Sequence, residues 1–197
     1  NNVAIWFEDK SYTYRDYDGA ANRYARWAQA QGLKKGDVVA LLMENRPEYL
    51  MAWIGLVKTG AVAALINTHL VEHPLAHSIT IAQAKHLILG AELAENYLHV
   101  VPGLDHPPKL WATGGRVRGA EDLDAALAMH SVAPIGYEVR DNVFCRDHAL
   151  YIYTSGTTGL PKAANMNHYR VMLASHAFAG VMDVQASDRM YDCLPMY

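Results

Sequence analysis

The sequence predicts an α/β fold in which a mostly parallel sheet is flanked by helices. Two short, continuous apolar runs, residues 38–43 and 61–66, have the pattern of strands that are buried on both faces. A helix is predicted between them, with Pro47 at its first position and Gly60 just after its end. Such a β–α–β unit requires parallel strands and a right-handed crossover. A weaker repeat, a helix over 72–84 and a strand over 86–89, extends the sheet.

The chain begins with a predicted hairpin, because residues 3–7 and 11–14 alternate in β-type fashion around the polar residues 8–10. Thr13, followed by Asp16 three residues later, predicts a helix start of the capping-box type. The helix should end at Gly32. Its core-facing stripe consists of residues that recur at helical spacing: Tyr17, Ala20, Ala21, Tyr24 and Ala28.

The later part of the chain has a less regular pattern. Prolines and glycines mark loops from residue 91 to 136, interrupted by a predicted strand over 109–113 and a short helix over 121–130. A connecting loop is predicted over 132–147. Beyond residue 151 we expect two strands around a loop, the second over 162–166, then a helix over 168–181 and a strand over 188–194.

Composition limits the class of protein. Of the 197 residues, 51% are hydrophobic, which is enough for a large core, and the net charge of −3 argues against a nucleic-acid partner. The longest apolar stretch, residues 50–66, contains Lys58 and Gly60, so no transmembrane segment is predicted. Cys145 and Cys193 stand far apart and fit free, buried thiols in a reducing compartment.

Three histidines spaced by four residues, His69, His73 and His77, suggest a metal site at first sight. Pro74 argues against it, because His69 and His73 then lie before or at the helix start and no single helix face carries all three. We therefore expect no metal ligands here and interpret the histidines as surface or capping residues.

The stretch with the clearest chemistry is an apolar strand that enters a loop of hydroxyls and glycines and ends on a lysine. Its residues are Tyr151, Ile152, Tyr153, Thr154, Ser155, Gly156, Thr157, Thr158, Gly159, Leu160, Pro161 and Lys162. Glycines let backbone N–H groups approach an anion, hydroxyls donate hydrogen bonds, and lysine adds a positive charge. The pattern favours a phosphate-binding loop, and the alternative is a hydroxyl-rich surface hairpin with a solvated lysine.

The spacing within this loop excludes a Walker A motif. The glycines are too close together, Pro161 precedes the lysine, and Ala163 stands where a hydroxyl residue should follow it. The loop is therefore predicted to lie between two strands rather than between a strand and a helix.

Residues 151–162 resemble the phosphate loop of the adenylate-forming enzymes, which include acyl-CoA synthetases. Residues 163–165 and 168–170, together with 64–68 and 191–197, are similar to the branch of fatty acid transport proteins and very-long-chain acyl-CoA synthetases. The resemblance covers nearly the whole chain and is weakest over 91–141. It implies that residues 1–197 are an incomplete N-terminal domain of an acyl-CoA synthetase, with its remainder and a small C-terminal domain absent.

The resemblance also implies a reaction. A fatty acid attacks the α-phosphate of ATP to give an acyl-adenylate, and the thiol of coenzyme A then displaces AMP. All twelve residues 151–162 would bind ATP, with Lys162, Thr157 and Thr158 as the candidate catalytic residues and Mg²⁺ neutralising further phosphate charge. The resemblance implies a cytoplasmic ligase, and it leaves peripheral membrane contact and the oligomeric state open.

Two alternatives to a long- or very-long-chain acyl-CoA ligase stay open. One is a ligase for another carboxylic acid, such as an aryl acid or a carnitine-like acid. The other is a membrane-associated fatty acid uptake module. Because the resemblance places the adenine, ribose and coenzyme A sites beyond Tyr197, the chain alone is expected to be inactive.

Overall fold

The computed structural model describes residues 2–155 and 159–197. The chain starts with an antiparallel hairpin, β1 (Val3–Phe7) and β2 (Lys10–Thr13), which leads directly into α1 (Tyr14–Ala30). Thr13 caps this helix as predicted: its Oγ1 accepts from the Asp16 N–H, and the Asp16 carboxylate accepts from the Thr13 N–H. The predicted hairpin and capping box are therefore confirmed.

A seven-stranded sheet forms the centre of the fold, in the spatial order β7-β6-β5-β3-β4-β8-β9. Its strands are β3 (Val38–Leu42), β4 (Val62–Leu65), β5 (His86–Gly90), β6 (Lys109–Thr113), β7 (Glu121–Asp122), β8 (His148–Ser155) and β9 (Pro161–Asn167). All neighbouring pairs are parallel except β8 and β9, which are antiparallel. The predicted α/β class, with a mostly parallel sheet, is confirmed.

Helices cover both faces of the sheet. The connecting helices are α2 (Pro47–Lys58), α3 (Glu72–Ala82), α4 (Ala94–Val100), α5 (Leu123–Ala128) and α6 (Tyr137–Arg140), and α7 (His168–Val181) follows β9. Val39 and Leu41 of β3 pack in the core cluster that contains residues of α1, α2 and α5, whereas Val38, Ala40 and Leu42 pack in the cluster of α3 and α4. The continuous apolar run in β3 thus fills two cores.

Helices α1 and α2 approach closely at Gly55. A Cβ at this position would come within 2.5 Å of the Ala21 carbonyl oxygen and would also overlap the Cβ of Tyr24. Only a residue without a side chain permits this distance between the two helices.

Several sequence predictions need correction. Residues 121–122 form the short strand β7, so the helix predicted over 121–130 is only α5, and the regions predicted as loops contain α4 and α6. Residues 188–194 form no strand, because a strand needs a neighbour to satisfy its backbone and this segment pairs with none of the described strands. Cys145 and Cys193 are free, as predicted, but exposed rather than buried.

Within the part of the chain that the structure describes, no helix is long and apolar enough to cross a membrane.

Candidate functional site

The predicted phosphate loop lies between β8 and β9, which form an antiparallel hairpin. In their register Thr154 faces Lys162 and Ser155 faces Pro161. Strand β8 contains five of the predicted site residues: Tyr151, Ile152, Tyr153, Thr154 and Ser155. Strand β9 begins with Pro161 and Lys162, and it is preceded by Gly159 and Leu160. Gly156, Thr157 and Thr158, including two candidate catalytic residues, lie outside the described residues. The predicted location of the loop between two strands is confirmed.

Lys162 is placed by the register of this hairpin. Its side chain is exposed, and it makes no ion pair with any residue in 2–155 or 159–197. Pro161, directly before it, is buried. A fixed backbone with an exposed ammonium group is suitable for binding an anion in solution.

Two hydrogen bonds join the hairpin to helix α3. The Tyr153 hydroxyl donates to the carbonyl oxygen of Ser78 at 3.0 Å, and Nε2 of His77 donates to the carbonyl oxygen of Pro161 at 3.2 Å. Burial raises the pKa of Tyr153, so its hydroxyl stays protonated and remains a donor. Each strand of the hairpin therefore has its own contact with the helix.

The hairpin loop follows β8 at the carboxyl edge of the sheet, where the parallel strands β3, β4 and β5 also end. Ligands of open α/β sheets bind at this edge. Polar residues follow these strands: Arg46 forms an ion pair with Glu92 at 3.1 Å, and Glu92 also accepts from the Glu44 N–H at 3.0 Å. Thr68, which follows β4, is 5% exposed. Because β4 is the parallel neighbour of β8, the β4–α3 loop leaves the sheet beside the end of β8.

Residues 194–197 are attached to the same edge. Nδ2 of Asn45 donates to the carbonyl oxygen of Leu194 at 2.7 Å, and its Oδ1 accepts from the Met196 N–H at 3.0 Å. The Tyr197 hydroxyl and Nδ1 of His69 are 2.8 Å apart. The end of the described chain thus lies over the loops that follow β3 and β4.

Sequence reasoning missed the roles of Asn45 and His69. It interpreted Asn45 as a residue preceding a helix, and it assigned His69, His73 and His77 to the surface or to caps. His69 and His73 are exposed, as that interpretation expects, but His69 and His77 also make contacts across the fold, with Tyr197 and Pro161. The signal available in the sequence was position, since Asn45 and His69 closely follow the two clearest buried strands.

Metal ligation by these histidines has no support in the geometry. Within residues 2–155 and 159–197, no group of three His, Cys, Asp or Glu side chains is arranged to hold a metal ion.

A cavity of about 700 Å³ is lined by residues of both α3 and β9. It extends from Lys162 along the strand to the amino end of β3, where Lys85 and Asp37 form an ion pair at 2.8 Å. Burial opposes ionisation of Asp37, but the hydrogen bonds from Lys85 and from the Lys34 backbone outweigh it and lower the pKa of the carboxyl. The cavity wall therefore carries fixed charges of both signs beside the strand that holds Lys162.

Comparison with known proteins identifies the family. The model of the AMP-binding enzyme family matches residues 1–197. The medium/long-chain-fatty-acid–CoA ligase FadD6 of Mycobacterium tuberculosis is 36% identical over 203 residues, which cover 100% of this chain and 32% of the relative. Long-chain fatty acid transport protein 1 of Bos taurus is 37% identical over 194 residues, covering 94% of this chain and 29% of the relative.

Solved structures agree with this. The inhibitor-bound N-terminal domain of FACL13 from M. tuberculosis is 32% identical and superposes with a TM-score of 0.82, covering 95% of this chain and 45% of that one. The anthranilate CoA ligase AuaEII shares the fold with a TM-score of 0.81 at 23% identity. The chain spans about a third of the length of the curated relatives that it matches. Together with the β8–β9 hairpin at the carboxyl edge of the sheet, these matches show that the chain belongs to the AMP-binding enzyme family.

Proposed function

We propose that this chain forms part of the large N-terminal domain of an ATP-dependent fatty acid–CoA ligase for long or very-long chains. The observation that carries the proposal is the β8–β9 hairpin, which sets Lys162 opposite Thr154 at the ends of a loop rich in hydroxyls and glycines. The names of the relatives, a medium/long-chain ligase and long-chain fatty acid transport proteins, support the substrate class.

In the first step, a fatty acid carboxylate oxygen attacks the α-phosphorus of ATP, and the bond to the bridging oxygen of pyrophosphate breaks. Negative charge builds up on the departing pyrophosphate. The ammonium group of Lys162 is exposed at the site and can bind this charge. We assign the hydroxyls of Thr157 and Thr158 as further donors on the strength of the sequence.

In the second step, the thiol of coenzyme A attacks the acyl carbonyl carbon. The thioester forms, the mixed anhydride breaks, and AMP leaves with its phosphate. The residues present suit the phosphates of ATP, because they combine hydroxyl donors, glycines and one lysine. Threonine hydroxyls are also the oxygen ligands that Mg²⁺ accepts, and Mg²⁺ bound with ATP would neutralise further phosphate charge.

We assign the complete reaction to the full-length ligase and propose that residues 1–197 alone form no acyl-adenylate. The coverage of about a third of each curated relative supports this division. Formation of acyl-AMP from ATP and a fatty acid by residues 1–197 would contradict it.

The substrate class can be tested with the full-length ligase, ATP, Mg²⁺ and coenzyme A. Octanoate, palmitate, lignocerate, benzoate and carnitine are supplied in turn, and acyl-CoA and AMP are quantified by chromatography. We expect the highest kcat/KM with palmitate or lignocerate. A higher value with benzoate or carnitine would assign the protein to another branch of acid–thiol ligases, and no thioester with any acid would overturn the proposal.

A fatty acid uptake module is the competing function, and the names of several relatives favour it. Palmitate transfer to phosphatidylcholine vesicles, measured with and without ATP together with vesicle co-sedimentation, separates the two. We expect palmitoyl-CoA synthesis whether or not the protein binds vesicles. Vesicle binding and palmitate transfer without any use of ATP would favour the uptake module.

A further inference from the structure

Two consecutive residues of helix α3 contact the two strands of the β8–β9 hairpin. His77 binds the Pro161 carbonyl in β9, and the carbonyl of Ser78 accepts from Tyr153 in β8. Both contacts lie next to the register pair Thr154–Lys162 in the hairpin. The helix is therefore attached where the predicted phosphate loop leaves and re-enters the sheet.

The His77 contact acts on the peptide unit that carries Lys162. The Pro161 carbonyl and the Lys162 nitrogen belong to one planar peptide, so fixing the oxygen also helps to fix the position of the Lys162 Cα, from which the side chain starts. Pro161 itself has no N–H to donate. Its carbonyl is thus one of the few groups through which the start of β9 can be held from outside the hairpin.

Within residues 2–155 and 159–197, strand β9 has a neighbouring strand on one side only. It is the last strand of the sheet, with β8 as its only neighbour among the described strands. The cavity of about 700 Å³ borders both α3 and β9, with Gln83, Lys162 and Asn165 in its wall. The His77–Pro161 hydrogen bond joins α3 to the start of β9 at the border of this cavity.

Helix α3 is firmly placed in the core. Leu75 is 0% and Ile79 3% exposed, and both pack in the core cluster shared with β3, β4 and β5. The helix can therefore transmit the position of the core to the edge of the sheet. His73, one turn before His77, is exposed and has no hydrogen bond with any other described residue.

We propose that His77 is a positioning residue for ATP binding: its hydrogen bond to the Pro161 carbonyl holds the start of β9 and thereby directs Lys162 toward the phosphates. The inference rests on the proposed function, since it assigns Lys162 to the phosphates of ATP. It adds to the machinery of the site a residue of α3 that stands 84 positions before Pro161 in the chain.

Three variants of the full-length ligase test the role of His77. His77→Leu removes the donor, His77→Gln retains an N–H donor of similar reach, and His73→Leu makes the same change one turn earlier on the same helix. For His77→Leu we expect the KM for ATP to rise about tenfold, with the KM for palmitate unchanged. His77→Gln should restore the KM for ATP to within about twofold, and His73→Leu should behave as wild type.

Hydrogen–deuterium exchange without nucleotide provides a readout that does not depend on activity. We expect faster amide exchange over residues 162–167 in His77→Leu, but not in His77→Gln or His73→Leu. Equal exchange in His77→Leu and His73→Leu would overturn the contact, and equal rises in both KM values would overturn the positioning role. If the wild type uses no ATP, the proposed function and the assignment to ATP both fail, whereas the exchange data still decide the contact.

Discussion

The central strands β3, β4 and β5 and the C-terminal region formed by β9, α7 and residues 182–194 differ in how far they are covered. Every residue of the three strands is buried. In contrast, α7 contains no buried residue, and its Met172, Leu173 and Phe178 are 51%, 54% and 48% exposed. Apolar residues are abundant in both regions, so composition does not decide burial. The elements packed against each region within this chain decide it: helices cover both faces of β3, β4 and β5, whereas α7 has no buried residue.

The hairpin of β8 and β9 lies on the border between these regions. Ala149 and Leu150 of β8 still belong to the buried core, whereas Lys162 in β9 is exposed. A lysine in the middle of β3 would lose its hydration without gaining a partner. The edge of the sheet thus combines a rigid support on one side with open access for a charged ligand on the other.

Single substitutions in the central strands should destabilise the chain most. Leu41 is 0% exposed in β3, so Leu41→Ala should lower the free energy of unfolding by about 2–5 kcal/mol. Leu173→Ala makes the same change on α7 and should change the free energy of unfolding by less than about 0.5 kcal/mol. Urea denaturation of residues 1–197 measures both. Similar losses for the two variants would contradict the assignment of stability to the central strands.

For Lys162, on the border between the two regions, substitution should affect activity and not stability. In the full-length ligase, Lys162→Ala should reduce the rate of acyl-CoA formation about 10²-fold, because under the proposed function it would remove the cation that binds the departing pyrophosphate. Its urea midpoint should not change, since the side chain is exposed. Lys34→Ala, another exposed lysine, is the control and should retain wild-type activity. A loss of less than about threefold in Lys162→Ala would remove Lys162 from the mechanism.

A glycine-to-alanine substitution should change the stability of the chain in opposite directions in the two regions. Gly55→Ala forces α1 and α2 apart and should destabilise the chain by about 1–3 kcal/mol. A methyl group added at Gly180 in α7 would point into open space, so Gly180→Ala should stabilise the chain by about 0.5 kcal/mol. Thermal denaturation of the two variants gives the signs, and stabilisation by Gly55→Ala would show that the helices are not in close contact.

The buried strands should also make the stability of the chain depend on pH. His86, buried at the start of β5, accepts a hydrogen bond from Nε1 of Trp111 at 3.0 Å. Burial, with the charges of Lys109 and Lys85, lowers the pKa of His86 below its ordinary value of 6.5. The unfolded chain therefore takes up a proton before the folded chain does. The stabilisation by neutral His86 is present above pH 6.5 and is lost as the pH falls from there toward the lower pKa of the folded state.

Unfolding free energies measured from about pH 8 down to about pH 5 test this. His86→Gln should reduce the pH dependence of the unfolding free energy. Some pH dependence should remain, because burial also lowers the pKa of His168. His176→Gln on the exposed face of α7 should leave the slope unchanged. An identical slope in wild type and His86→Gln would contradict the account.

The same contrast explains how much could be predicted from the sequence. The apolar runs in β3 and β4 predicted the parallel sheet, because continuous burial leaves a clear pattern. The order of hydroxyls, glycines and Lys162 predicted the hairpin, and the ATP-binding role of its residues stays a prediction. The strand expected over 188–194 did not form, since pairing depends on a neighbour that composition does not reveal. The contacts of His77, Asn45 and His69 were missed because their partners lie 84 to 151 positions away.

The most direct test of the central claim, that the β8–β9 hairpin belongs to an adenylating ligase, is exchange of labelled pyrophosphate into ATP without coenzyme A. Adenylation is reversible and precedes thioester formation, so the full-length ligase should catalyse exchange that requires palmitate and Mg²⁺ but not coenzyme A. Lys162→Ala should slow this exchange about 10²-fold. Absence of palmitate-dependent exchange in a wild-type ligase that binds ATP, or exchange only when coenzyme A is present, would contradict the account.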